Sequence, residues 1–405
     1  LNAKQQIRNI LTVDFGLYAN WFLRYNIHYM SPYIKILSVI NCIAAVHGII
    51  LSFILRAKKR NHEANRILAL LVFLFSIGMA GPIFVSYRLY LYIPFLAPFF
   101  SSLPFIFGPL FYLYIKSLTH HRLLFSKTDL WHGLPLVITF LYYSSVYFMP
   151  KAEQMVFLEK IYFQQSISSY LSIALSLAQT FIYMVLCLRL LQSHTRKIKE
   201  SFSDLERINL SWIRHLVFMF VFTWLIVLIL QAFLPEPLIE EKLDDAITYF
   251  LIALIIFTIG YRGLSQPEIF AEKTGKEKKY EKTGLSSQKG KSIEQQLLKL
   301  MEEKRPFLDP GLTLSQVAEI MGVPPHQLSQ VINERMGQNF YQFVNSYRLE
   351  EAKRRLDHPD TGDDKLIKIA FDSGFNSLPT FNRVFKDLTG ESPSQYRKHK
   401  ILSKE

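Results

Sequence analysis

Cysteine is scarce: the 405 residues contain two, Cys42 and Cys187, each inside an apolar run. They form no disulfide framework and have no zinc-ligand spacing, so they read as small buried side chains. The chain shows no nucleotide-binding glycine loop, no protease dyad within an apolar run and no transporter signature. His120-His121 lies in a connector and reads as a solvated pair rather than a metal site. No cofactor or metal is implied, and no catalytic group, so the chain is not expected to be an enzyme. Acidic residues are also outnumbered, 33 against 46 basic ones, for a net charge of +13. That balance suits nucleic acid, but inner-side membrane loops also favour Lys and Arg. Leu1–Tyr29 lacks a signal-peptide pattern. Met30 stands just before the first apolar run; within the N-terminal segment 1–33, native translation is expected to start there, making the residues before it an extension.

What the chain has in quantity is apolar residues, half of the total. They fall into seven segments: Ile34–Leu55, Ile67–Tyr87, Pro94–Ile115 (broken by Pro98, Pro104 and Pro109), His132–Met149, Ile167–Leu191, Ile213–Leu234 and Ala246–Tyr261. Most approach the ~20 residues a helix needs to cross a bilayer; the fourth and seventh are short. A buried core of a soluble protein does not supply seven such runs in series.

Basic residues orient the segments. The connectors after segments one, three and five carry Arg56, Lys58, Lys59, Arg60 and Arg66; Lys116, Arg122 and Lys127; and Arg189, Arg196, Lys197, Lys199, Arg207 and Arg214. The alternating connectors are poor in them. The positive-inside rule puts the first group in the cytoplasm, the N-terminus outside and the C-terminus inside. Within the segments His47 is the main ionisable residue, and Asn41, Gln179 and Gln231 are expected to hydrogen-bond between helices. Residues 263–292, rich in Lys, Glu, Gly and Ser, read as a flexible charged linker.

Past the linker the pattern changes. Ile293, Leu297, Leu300 and Met301 recur at helical spacing. Thr313 is a plausible N-cap for a helix over Leu314–Met321, closed by Gly322. A second helix, from Pro324 or Pro325 to Met336, would bury Leu328, Val331 and Ile332 and leave His326, Gln327, Ser329, Gln330 and Asn333 outside. Phe340–Leu356 is a longer helix with an apolar stripe. Then Ile369-Ala370-x-x-x-Gly374-Phe375 precedes Phe381-Asn382-Arg383-Val384-Phe385-Lys386 and Gly390-x-Ser392-Pro393-x-x-Tyr396-Arg397. Gly374 suits a left-handed turn. Phe381 and Phe385 face inward, Arg383 and Lys386 outward. Two short helices around a turn, with basic groups on the outer face of the second, present a helix to the DNA major groove.

This block resembles the AraC/XylS family of bacterial transcription regulators, over roughly the last quarter of the chain. The resemblance implies tandem helix-turn-helix units on a rigid connecting helix, whose reading helices enter successive major grooves. It places groove-facing positions at His326, Ser329 and Gln330 in the first unit; Pro379, Thr380, Asn382, Arg383 and Lys386 are the candidates in the second. Two departures are notable: Gln330 stands where members often carry Arg, and Ile332-Asn333 where they often carry Phe-Lys. Arg348, Lys353, Arg354 and Arg355 read as a solvated basic face; the alternative is that one or two of them contact phosphate.

The expected architecture is therefore all-α. A seven-helix membrane bundle (34–262) precedes a cytoplasmic AraC-type domain (293–405) in a multi-pass protein of the bacterial inner membrane. Its expected partners are promoter DNA, the lipid bilayer, an unidentified envelope or membrane signal, and a second copy of the chain. Release of the DNA-binding domain by proteolysis in the linker is a variant of this reading. The alternative is a membrane transporter or membrane enzyme regulated by a helix-turn-helix-like interaction module.

Overall fold

The structure is a computed structural model. It describes residues 32–59, 61–86, 89–119, 127–150, 153–154, 156–158, 167–206, 208–233, 243–265, 285–357 and 365–402. The N-terminal extension, His120-His121 and most of the charged linker lie outside them. The described residues are helical and contain no strand. They divide into two units: residues 1–191 with 210–268, and residues 192–209 with 269–405.

The first unit contains α1 (Pro32–Ala57), α2 (His62–Gly78), α3 (Gly81–Ser86), α4 (Ala97–Ser102), α5 (Pro104–Thr119), α6 (Leu134–Ser144), the first part of α7 (Ile167–Ser201), α8 (Ser211–Phe233) and α9 (Leu243–Ser265). α1 packs on α2 and α9, α2 on α5, and α8 on α9. At the α1–α2 crossing a Cβ on Gly48 would lie 2.1 Å from Ser76 Oγ, so only glycine permits this approach. Small residues let backbones meet in this way where lipid offers no hydrophobic drive. Lys58 Nζ donates to the Gly263 and Leu264 carbonyls at 3.1 and 2.8 Å, placing a cation on the negative end of α9. Gln179 Nε2 donates to Phe105 O at 2.8 Å, the inter-helix bond expected of it. His47 stacks on Phe257 with ring centroids 4.7 Å apart.

The outward face of α1 is apolar. On α1, Ile36, Val39, Ile43, Val46, Ile50 and Phe53 are all exposed, alternating three and four apart, while Ala44, Leu51 and Leu55 are buried. A helix made for water would carry polar groups on that stripe. Four helical stretches are long and apolar enough to cross a membrane: Val39–Ala57, Leu171–Ser201, Ser211–Leu230 and Ile247–Ser265. A fifth arises if Pro94–Ser102 and Pro104–Thr119, bent by 44°, act as one span. Seven such helices are not found among the described residues. Segment two forms a 17-residue helix that ends at Gly78. Segment four divides into the 11-residue α6 and a 3-10 turn, Ser145–Phe148. Beside the proline-rich bend lies a cavity of about 410 Å³, lined by Phe75, Phe107, Phe220, Trp224, Thr223 and Tyr249 among others.

The second unit contains Gln192–Asn209, then α10 (Ser287–Glu303), α11 (Leu314–Met321), α12 (Pro325–Arg335), α13 (Phe340–Asp357), α14 (Leu366–Asp372), α15 (Leu378–Thr389) and α16 (Pro393–Leu402). α10 starts earlier than Ile293 because Ser286 caps it, accepting the Lys289 N–H. Two cores form. Ile293, Leu297, Met301, Val317, Leu328, Val331 and Phe343 belong to one, and Leu349, Ala352, Ile369, Phe375, Phe381 and Phe385 to the other. α13 serves both, its first half buried in one and its second half in the other. Burying each such side chain is worth roughly 1.5–3 kcal/mol, so the connecting helix is held along its length.

Candidate nucleic-acid interface

The first unit begins at a capping box: Thr313 Oγ1 accepts the Gln316 N–H, while Gln316 Oε1 accepts the Thr313 N–H at 2.7 Å. Gly322, at φ +67°, ends α11 and starts the turn. Pro324 and Pro325 then launch α12, whose first position tolerates the missing N–H. Leu328, Val331 and Ile332 are buried as expected, and His326 is exposed. Ser329 and Gln330 are half-buried. Asn333 Nδ2 donates to Ser329 Oγ at 3.3 Å, and Gln330 Nε2 to Glu334 Oε2 at 3.0 Å. The candidate groups here are neutral, and Ser329 and Gln330 already hydrogen-bond within the helix.

The second unit is tighter. Gly374 has φ +88°, and a Cβ there would lie 2.3 Å from Phe307 O. Ser377 caps α15, accepting the Thr380 N–H at 3.3 Å. Pro379, Asn382, Arg383 and Lys386 are exposed. Thr380 departs from the expectation: its side chain is only 8% exposed, and its hydroxyl accepts from Ser377 Oγ at 3.2 Å. The cap turns it inward. Arg383 Nη2 donates to the Tyr341 hydroxyl at 3.5 Å rather than to Asp387. Phe375, Phe381 and Phe385 are fully buried, with edge-on ring contacts that continue to Tyr396. They are core, as expected, and not base-stacking aromatics.

Sequence reasoning missed the polar residues of α13. Arg348 is not on a solvated face; it is 1% exposed. Its Nε donates to Phe307 O at 2.8 Å and its Nη2 to Asp309 O at 2.7 Å. Burial pulls its guanidinium down to about 10, with Asp204 and Asp309 opposing, so it stays cationic at neutral pH. Glu351 is likewise buried. Burial alone would raise its carboxyl, but hydrogen bonds from Arg354 and Arg355 and the charge of Arg305 outweigh this and hold it at about 2. Those arginines are occupied by Glu351, Arg355 reaching Asp372 as well, rather than reserved for phosphate. The signal was present as Arg and Glu on the apolar stripe side of α13, where an unpaired charge does not persist.

Residues 317–399 match the family described as a helix-turn-helix domain. This part of the chain is similar to helix-turn-helix domains. It is 37% identical over 86 residues to an uncharacterised HTH-type transcriptional regulator of Staphylococcus aureus (strain COL), covering 21% of this chain and 11% of that protein. It is 28% identical over 102 residues to the HTH-type transcriptional regulator GlxA of Rhizobium meliloti, covering 25% of this chain and 31% of that one. The chain thus spans about a tenth to a third of the length of these relatives. A solved protein of unknown function from Listeria innocua is 32% identical, covering 26% of this chain and 95% of that one, with a TM-score of 0.24.

Proposed function

We propose that the chain is a membrane-bound, sequence-specific DNA-binding transcription regulator. The helix-turn-helix domain reads promoter DNA in the cytoplasm, and the apolar unit senses a membrane or envelope signal. The observation that carries the DNA reading is the pair of reading helices, α12 and α15, launched at Pro325 and Leu378 and connected by a helix buried in both cores. In this reading Arg383 grips a guanine edge or a phosphate through its two-pronged guanidinium, and Lys386 contacts phosphate. His326, Ser329, Gln330, Pro379 and Asn382 face the groove.

The membrane reading rests on the exposed apolar stripe of α1 and on the long apolar helices. We assign seven crossings, with the N-terminus outside. α2 adds a sixth candidate to the five: at 1.5 Å per residue its 17 residues rise ~26 Å, close to the hydrocarbon thickness. The aromatic cavity beside the proline bend, free of Asp, Glu, Lys and Arg, suits a small uncharged signal. Such a signal acts by favouring one helix arrangement over another, and a homodimer would place two domains on adjacent half-sites.

Selection from random duplexes by the full chain in lipid nanodiscs, over a salt series, tests the DNA reading. An enriched motif with two half-elements about ten base pairs apart supports it. Binding that depends on salt but not on sequence refutes it.

A further inference from the structure

We infer that Phe202–Asp204, in the connector between α7 and α8, is a docking peptide for the helix-turn-helix domain, and that it controls how the two helix-turn-helix motifs of that domain are held together. This rests on the DNA-binding reading for its consequence, though not for the contact itself.

Ser203 is 0% exposed and every polar atom it has is engaged. Its N–H donates to Leu312 O at 3.2 Å, and its Oγ donates to the same carbonyl at 2.6 Å. That Oγ accepts from Arg348 Nη2 at 3.0 Å. Its carbonyl accepts from Asn345 Nδ2 at 3.2 Å and Arg348 Nη1 at 3.4 Å. Phe202 forms a β-bridge with Thr313, the capping residue of the first unit. Asp204 Oδ2 accepts from Asn376 Nδ2 at 2.9 Å, one residue before the cap of α15 in the second unit. Three consecutive residues therefore bond to the first unit, the connecting helix and the second unit in turn.

The segment is shaped for this. His194 Nε2 meets Ile208 O at 3.3 Å, closing the turn. The Asp204 carboxylate also accepts the Glu206 N–H at 3.0 Å. Ile198 and Leu205 are buried on either side.

The complementarity is chemical as well as spatial. A buried arginine needs acceptors for all of its donors, and the domain's own Phe307 and Asp309 carbonyls leave Arg348 donors to spare. Ser203 supplies two more acceptors, its carbonyl and its Oγ, and Pro310 O lies 3.5 Å from Nη2. The docking site lies at the same junction where Gly374 abuts Phe307, so a peptide seated there bears on the contact between the units. The end of α7 carries Arg196, Lys197 and Lys199, the charge bias expected on the cytoplasmic side, where the domain is also assigned. A change in α7 or α8 is covalently linked to this peptide and needs no second messenger to reach the domain.

The test uses the full chain in lipid nanodiscs, with Asn376→Asp, Asp204→Asn and both together. Asn376→Asp sets two carboxylates against each other; adding Asp204→Asn restores one donor and one acceptor. Hydrogen exchange at the Ser203 amide, which donates to Leu312 O, should be slow in the parent. It should speed up by about tenfold in Asn376→Asp and slow again in the double variant. Affinity for a duplex enriched from a random pool should change on Asn376→Asp, in either direction, and return to within about twofold of the parent in the double variant. Fast exchange in the parent would overturn the docking. An affinity change that Asp204→Asn leaves intact would also overturn the proposal, because position 376 would then act on DNA directly. The exchange measurement needs no DNA, so a failure of docking is told apart from a failure of DNA binding.

Discussion

The two helix-turn-helix units share an outline and differ in how they are held. In the first, Gly322 takes a left-handed conformation with open space around its Cα. In the second, Gly374 takes one with the Phe307 carbonyl against it. The first reading helix is neutral in its candidate groups, with Gln330 and Ser329 bonded to their own helix. The second carries Arg383 and Lys386 outward on a strongly sided helix above three buried phenylalanines. The same motif thus serves two purposes: one unit offers adaptable hydrogen bonding, the other a clamped platform for charge. Glycine marks both turns, but only at the second does packing forbid any side chain.

The sharpest way to break this comparison is to add one methyl group to each turn. Gly374→Ala combines an unfavourable φ with a collision against backbone, and should cost on the order of 4 kcal/mol. Gly322→Ala should cost about 1 kcal/mol, from conformation alone. Urea unfolding of the full chain, followed by hydrogen exchange within 293–402, measures both; equal losses would dissolve the distinction.

Next in size is Glu351→Gln, which leaves Arg305, Arg354 and Arg355 crowded without their shared carboxylate and should cost roughly 2–3 kcal/mol at neutral pH. The pH dependence has a definite sign. The folded carboxyl sits at about 2, below its ordinary value of 4.5, so its contribution is complete above the ordinary value. It fades as pH falls from there towards the folded one. The parent should lose stability over that window, and Glu351→Gln should show a flatter profile.

Smaller effects concern DNA. Arg383→Ala should weaken binding by roughly 1–3 kcal/mol and relax preference at one position of the enriched motif. Gln330→Ala should weaken it by less than about 1 kcal/mol, since that amide already has an intrahelical partner. Lys386→Ala should weaken binding to all duplexes alike and reduce the salt slope by about one. An equal loss from Gln330→Ala and Arg383→Ala, measured by fluorescence anisotropy, would show that the units read DNA with equal weight.

Much of the second unit could be read before its structure was known. The Phe375, Phe381 and Phe385 core, the Gly374 turn and the outward Arg383 follow from spacing, because helical periodicity is local. Thr380 was misplaced because capping by Ser377 decides the direction of its side chain, and that depends on where the helix begins. Arg348 looked like surface charge because its partners, Phe307 and Ser203 among them, lie far away in sequence; Arg355 has Glu351 four residues away and Asp372 further on. In the apolar unit the segments were visible, but α2 and α6 came out shorter than the runs that suggested them. Glycine, proline and 3-10 turns cut the helices where hydropathy alone runs on.

The sequence by itself determined the all-helical class, the long apolar runs, the charge bias of the connectors and the tandem motif. These depend on composition and short-range spacing, which any local stretch displays. Only the tertiary structure decided that Arg348 and Glu351 are interior charges, that Gly374 is locked by a distant carbonyl, and that Ser203 is seated among Leu312, Asn345 and Arg348. Each of those depends on which far-separated groups meet in space, and a buried donor or charge is stable only where its partner has been brought to it.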